Sequence, residues 1–82
     1  MTREDIKNNI ISVFKEVFKE TVNLCESTGV EDIKSWDSLN HIILIKRLEE
    51  VFTLQFDLFR LIDLKSLGDF VDYIYFEKGN ED

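Results

Sequence analysis

The sequence contains no proline, three glycines and one cysteine among 82 residues. Because sharp turns depend on proline and glycine, and helix interiors exclude the first and disfavour the second, this scarcity indicates an all-helical chain. Cys25 has no second cysteine with which to form an internal disulfide. A disulfide-stapled secreted scaffold is therefore excluded, and we expect a protein of the reducing cytoplasm.

The sequence also lacks a long apolar run and an excess of basic charge. Its longest aliphatic run, residues 42–45, is far shorter than the ~20 residues that cross a bilayer, and residues 1–5 contain no apolar signal region. There are 17 acidic residues against 10 basic ones, for a net charge of −7. A nucleic-acid backbone would be repelled, so we expect neither membrane insertion nor nucleic-acid binding, and a basic partner surface is the natural complement.

The composition that is present predicts one small folded domain over residues 1–82. Apolar residues make up 44% of the chain and charged residues 33%, which is typical of globular proteins. A chain of this length can bury one thin core but cannot form a deep cleft between two domains. We expect it to be a monomer.

The first helix is predicted over residues 3–20. Thr2 and Asp5 form a capping-box pattern directly in front of an apolar stripe. The stripe has helical spacing and comprises Ile6, Ile10, Val13, Phe14, Val17 and Phe18. Residues 21–36 show no period and are predicted to form a long loop. Its candidate anchors to the core are Leu24, Val30, Ile33 and Trp36.

The second helix is predicted to begin at Asp37–Ser38, with Asp37 as N-cap, and to end near Phe52. Its spacing gives two apolar sides. The predicted core side comprises Leu44, Ile45, Leu48, Val51 and Phe52. The opposite side carries Leu39, Ile42 and Ile43 in the first two turns only. Either the long loop covers this second side, or it is exposed for a partner.

Two further helices complete the prediction. A short third helix is expected around residues 58–62, in an apolar but irregular stretch. Ser66 and Asp69 resemble a second capping box before a last helix over about residues 67–76. Its stripe comprises Leu67, Phe70, Val71 and Ile74. The predicted fold is a small all-α four-helix bundle with a short third helix and a long first loop.

Few residues could carry chemistry. One histidine and one cysteine give no metal-ligand pattern. Ser38 and His41 could share a helix face, but Asp37 cannot reach across to complete a triad, and so short a chain leaves little room for an oxyanion hole. His41 is expected to be partly buried with one hydrogen bond, and Cys25 to be a loop thiol without a lowered pKa. Ser38 differs, because a helix N-terminus stabilises a phosphate placed on its hydroxyl.

Residues 36–52, WDSLNHIILIKRLEEVF, resemble the second-helix signature of acyl carrier proteins. The matching features are Asp-Ser-Leu, alternating apolar positions, Leu-Glu-Glu and a phenylalanine, all in register. Downstream, Phe56-Asp57 and Leu67-Gly68-Asp69-Phe70 with Ile74 resemble the family's third and fourth helices. Length, acidity and the four-helix pattern agree with the family over essentially the whole chain.

The resemblance implies a carrier rather than an enzyme. Ser38 would receive 4′-phosphopantetheine from coenzyme A through a phosphopantetheinyl transferase, and the terminal thiol would hold an acyl or aminoacyl group as a thioester. Loading and acyl-processing enzymes of fatty-acid, polyketide or related specialised biosynthesis would be the partners. The implied recognition face comprises Asp37, Leu39, Ile42, Ile43, Lys46, Glu49 and Glu50. The implied lining for a sheltered acyl chain comprises Leu44, Ile45, Leu48, Phe52, Leu61 and Ile74.

Some residues depart from the family pattern. Lys46 and Arg47 interrupt a helix that is usually acidic in carriers of general fatty-acid synthesis, and Ile43 stands at an often acidic position. The third helix is also usually acidic in the family, and here it contains Phe59 and Arg60. These differences favour a specialised carrier. Two other hypotheses stay open: a non-covalent acidic adaptor that docks through the second helix, and a small hydrolase that uses Ser38 with His41.

Overall fold

The computed structural model describes residues 2–19, 23–57, 60 and 63–78. Within these residues the fold is all-helical, with α1 over Arg3–Val17, α2 over Ser38–Phe52 and α3 over Leu67–Lys78. The prediction of an all-α chain with a long first connection is confirmed for the described residues. The predicted short helix at 58–62 lies outside them, apart from Arg60.

Helix α1 begins at the predicted capping box. Thr2 Oγ1 accepts the Asp5 N–H at 3.1 Å, and Asp5 Oδ2 accepts the Thr2 N–H at 3.3 Å. The helix ends at Val17, three residues before the predicted end. Phe18 already has an extended backbone, and its ring lies 5.5 Å from that of Phe14, centroid to centroid. The early end therefore places Phe18 in the core.

The core is one cluster built from the facing stripes of the three helices and from anchors in the long loop. At its centre, Phe14 of α1, Trp36 of the loop and Phe70 of α3 meet at centroid distances of 5.3–6.3 Å. Such aromatic contacts add to the free energy of burial. The buried core residues of α2 are Leu44, Ile45, Leu48 and Phe52.

Two residues predicted to be buried are exposed. Val51 lies in the last turn of α2 and is 38% exposed, so the buried side of this turn is formed by Phe52. Val30 is 40% exposed. Its backbone N–H donates to the Lys65 carbonyl at 3.1 Å, so the main chain at Val30, rather than its side chain, anchors the loop.

The long loop is fixed to the start of α3 by backbone hydrogen bonds. The N–H groups of Leu67 and Gly68 donate to the carbonyls of Thr28 and Glu26, each at 2.8 Å. Arg3 of α1 supports the same segment, because its guanidinium donates two hydrogen bonds to the Glu26 carboxylate. None of the helices in the described ranges is long and apolar enough to span a membrane.

Candidate functional site

Ser38 is the first residue of α2, and its position is set by the residues on either side. Asp37 is the N-cap, and its Oδ1 accepts the Asn40 N–H at 2.8 Å. The Asn40 side chain donates in turn to the Ser35 carbonyl at 2.7 Å. These bonds hold the end of the loop and the first turn of α2 together, as N-caps commonly do. Ser38 itself is exposed.

Trp36 and His41 form a fixed pair beside Ser38. The Trp36 indole N–H donates to His41 Nδ1 at 2.9 Å, and the two rings stack at 19°. The prediction of a partly buried His41 with one hydrogen bond is confirmed. Because Nδ1 accepts this bond, the neutral ring carries its proton on Nε2. Neither Ser38 nor Asp37, both described residues, forms a side-chain hydrogen bond to His41, so the three do not assemble as a hydrolase triad.

An open groove of about 540 Å³ lies beside Ser38, between the long loop, the start of α2 and the segment before α3. Its lining comprises Val30, Trp36, Asp37, Ser38, His41, Ile42, Leu64 and Lys65. The sequence did not indicate Val30, Leu64 or Lys65 as walls of a site. No pattern in the sequence could have found them, because the two segments come together only in the fold, where Gly29 and Ser66 pair as an isolated β-bridge.

The residues expected to line an acyl cavity do not line this groove. Leu44, Leu48 and Ile74 are fully buried in the closed core, and Ile45 and Phe52 are buried beside them. Their side chains fill the interior of the bundle rather than facing a space that Ser38 could reach. Leu61 lies outside the described residues. In the described structure, the apolar space next to Ser38 is on the loop side of α2.

Three exposed apolar side chains follow Ser38 on α2. Leu39 is 67% exposed, Ile42 57% and Ile43 45%. We call these three residues the α2 patch. Of the two alternatives that the sequence left open, the structure shows exposure, and the described part of the long loop leaves these side chains uncovered. An exposed apolar cluster of this kind on a small acidic protein is typical of an interaction surface.

The charged residues of α2 differ in their surroundings. Lys46 is exposed, and Glu50 forms an ion pair with Arg47 at 3.2 Å. Arg47 also pairs with Glu16 of α1 and lowers the pKa of that carboxyl through a hydrogen bond. Arg47 thus ties α2 to α1.

Glu49 is half-buried and has a role in the fold that its sequence neighbours did not indicate. Its Oε2 accepts the Phe56 N–H at 2.9 Å. Its carbonyl accepts the Leu54 N–H at 3.2 Å, next to Thr53, which ends α2 in the left-handed conformation at a φ of 53°. Glu49 therefore holds the chain reversal after α2.

Cys25 is exposed in the long loop and does not line the groove. Its sulfur lies 3.1 Å from the Ser27 hydroxyl and 3.6 Å from that of Thr28. These hydrogen bonds lower the pKa of the thiol to about 7. The expectation of an unperturbed thiol is therefore wrong, since the hydroxyls stabilise the thiolate. Among the residues that the structure describes, no group of acidic, histidine or cysteine side chains could hold a metal ion.

No protein-family model matches the chain, and no curated protein matches it. The interpretation of the site therefore depends on its geometry and on the motif around Ser38.

Proposed function

We propose that this protein is a carrier of the acyl-carrier type, in which Ser38 bears 4′-phosphopantetheine. The observation that carries the proposal is the placement of Ser38, an exposed hydroxyl at the first residue of a helix, between the α2 patch and an open groove. When bound, the arm supplies a flexible tether whose thiol holds an acyl or aminoacyl group as a thioester.

The surroundings of Ser38 fit such a modification. Its hydroxyl makes no side-chain hydrogen bond to another described residue and is exposed, so a transferase can reach it. The Oγ attacks the phosphorus that bears the pantetheine of coenzyme A, the bond from this phosphorus to the adenine nucleotide breaks, and the hydroxyl proton passes to a base on the transferase. The first-turn N–H groups of α2 favour the resulting phosphodiester charge, whereas the Asp37 carboxylate opposes it.

The α2 patch supports the other half of the proposal, which is recognition by enzymes. A carrier must dock first on a phosphopantetheinyl transferase, then on a loading enzyme, and then on acyl-processing enzymes. We propose that the α2 patch provides the apolar contact, with Asp37, Lys46 and Glu50 at its rim. Glu49 belongs to this face as well, but its carboxylate is held by Phe56. A cytoplasmic location, which agrees with the single cysteine, is part of the proposal.

The proposal is tested by intact-mass measurement after incubation with coenzyme A and a broad-specificity phosphopantetheinyl transferase. We expect the wild type to gain one phosphopantetheine and Ser38→Ala to gain none. Ser66→Ala is the matched control, because Ser66 also stands at a helix start but caps α3. Its mass gain should equal that of the wild type. Lack of a gain in the wild type with several transferases would contradict the proposal, as would a gain in Ser38→Ala.

A non-covalent adaptor is the second candidate, and the exposure of the α2 patch favours it independently of Ser38. Both functions predict that Ile43→Glu weakens docking while the fold survives. They differ in the effect of Ser38→Ala on cellular function. A carrier loses its function with this substitution, whereas an adaptor keeps both its binding and its function.

A further inference from the structure

We infer that Lys65 is a positioning residue that holds the phosphate of an arm on Ser38 against the groove. The inference depends on the proposed function and deepens it, since it assigns a place to the arm on the surface of this chain. It arises from the juxtaposition of Lys65 and Ser38, which lie far apart in the sequence but line the same groove.

The backbone of Lys65 is fixed on both sides. Its N–H donates to Asp69 Oδ2 at 3.0 Å, and its carbonyl accepts the Val30 N–H at 3.1 Å. One bond ties it to the first turn of α3 and the other to the long loop. The lysine side chain therefore starts from a defined point on the wall of the groove, which lowers the entropic cost of contact with a ligand there.

The charges in the groove favour an anion near Lys65. Asp37 and Lys65 carry the formal charges among its lining residues. The Asp37 carboxylate caps α2, and no carboxylate in the described ranges lies within ion-pair distance of the Lys65 ammonium. A phosphodiester on Ser38 would be repelled by Asp37 and attracted by Lys65. Lys65 thus offsets the Asp37 charge beside the site.

The remaining walls fit the rest of an arm. Val30 and Ile42 present exposed methyl groups, and the Trp36–His41 pair forms part of the lining. An arm whose phosphate contacts Lys65 can place its methylene groups against these side chains. Docking would change the environment of the Trp36 indole, which is the only indole in the chain.

The test is a comparison of apo and holo protein by two-dimensional ¹H–¹⁵N NMR, on full-length samples converted with coenzyme A and a transferase. The single indole N–H signal of Trp36 and the amide signals of Val30 and Lys65 report on the groove. We expect all three to shift on conversion of the wild type. In Lys65→Gln the docking equilibrium should fall by roughly two- to fivefold, the range of an exposed ion pair, and the shifts should shrink accordingly.

Two controls separate this effect from a general change in charge. Lys65→Glu should reduce the shifts further, whereas Lys19→Glu changes the net charge equally at an exposed position outside the groove and should leave them unchanged. About 1 M salt, where the Debye length is ~3 Å, should reduce the shifts in the wild type more than in Lys65→Gln. The apo spectra of the variants show whether each is folded.

The outcomes distinguish this inference from the proposed function. If the mass of the wild type does not increase, the proposed function fails. If the mass increases but the groove signals stay in place, the arm does not dock there and the inference is overturned. Equal shifts in the wild type and in both Lys65 variants would also overturn it, because the arm would then occupy the groove without help from Lys65.

Discussion

The starts of α2 and α3 use the same local device. At α2, the Asp37 carboxylate accepts the Asn40 N–H at 2.8 Å. At α3, the Ser66 hydroxyl accepts the Asp69 N–H at 3.2 Å. In each case a short polar side chain satisfies an N–H group that the helix leaves without an internal partner. The sequence indicates both starts equally well.

The two starts differ in whether the long loop packs over the first turn of the helix. We call the loop backbone from Glu26 to Thr28, which packs over the first turn of α3, the cover. At α3, Leu67 and Gly68 are buried, and their N–H groups donate to the carbonyls of Thr28 and Glu26. At α2, the first residue, Ser38, is exposed. The backbone of the long loop thus forms hydrogen bonds to the start of α3, whereas the first residue of α2 stays exposed to solvent. A helix start becomes available for chemistry only where the rest of the chain does not cover it.

The largest effect on stability among the predictions is expected from Gly68→Ala, which disturbs the covered start. A Cβ at this position would lie 2.8 Å from the Glu26 carbonyl oxygen and 3.1 Å from Glu26 Cβ. Because backbone would have to move, we expect a loss of about 1–3 kcal/mol in the free energy of unfolding, measured by urea denaturation. Gly29→Ala is the milder control, since its nearest atom, the Lys65 oxygen, is 3.2 Å away. If Gly68→Ala were as stable as the wild type, the backbone at Glu26 would be able to move away from α3 at little cost.

Local signals in the sequence predicted the helix starts. Each helix start depends on a hydrogen bond between residues that are three apart in the sequence, so a short sequence pattern is enough to predict it. The three pairs are Thr2 with Asp5, Asp37 with Asn40, and Ser66 with Asp69. The start of α2 and the two apolar sides of that helix followed in the same way. The neighbours of Ser38 in the sequence were therefore sufficient to select it as the candidate site.

The cover could not be predicted, because it is made by main-chain groups of distant segments. The bonds from Leu67 and Gly68 to the loop involve N–H and C=O groups that every sequence contains. Val30 looked like an anchor because it is apolar, yet its backbone anchors the loop while its side chain faces the groove. Lys65 gave no signal at all, since its relation to Ser38 exists only after the loop has docked.

Removal of the cap at the open start should have the next largest effect. Asp37→Ala deletes the acceptor of the Asn40 N–H, and we expect a loss of about 1 kcal/mol in the free energy of unfolding. Asp37→Asn is the matched control, because an amide oxygen can accept the same bond, and it should stay within a few tenths of a kcal/mol of the wild type. Urea denaturation of the three proteins side by side measures both differences. If Asp37→Ala were as stable as the wild type, the first turn of α2 would not depend on its cap.

A smaller, pH-dependent effect is expected at the covered start. Hydrogen bonds from Arg3 hold the pKa of the Glu26 carboxyl below its usual value of 4.5. A carboxyl whose pKa is lowered by folding stabilises the folded state above its unfolded pKa, and this contribution is lost as the pH falls through the folded value. We therefore expect the free energy of unfolding to decrease below about pH 4.5, and to decrease less in Glu26→Gln. Because Arg3 and Glu26 are both partly exposed, the difference should be small and should shrink with added salt. If the free energy of unfolding changed equally with pH in the two proteins, the Arg3–Glu26 ion pair would not help to hold the long loop against the start of α3.

The smallest effect on stability is expected from Ser38→Ala, the substitution that should abolish modification. Ser38 is exposed and caps nothing, so we expect its loss to change the free energy of unfolding by no more than ~0.5 kcal/mol. Ser66→Ala removes a hydroxyl from the other helix start and should cost about 1 kcal/mol, because that hydroxyl accepts the Asp69 N–H. Urea denaturation and intact mass should be measured on the same two samples. We expect Ser66→Ala to be the less stable variant and to be modified. We expect Ser38→Ala to be the more stable variant and to stay unmodified. Equal losses of stability would mean that Ser38 also serves the fold, and the distinction between a covered and an open helix start would no longer account for the site.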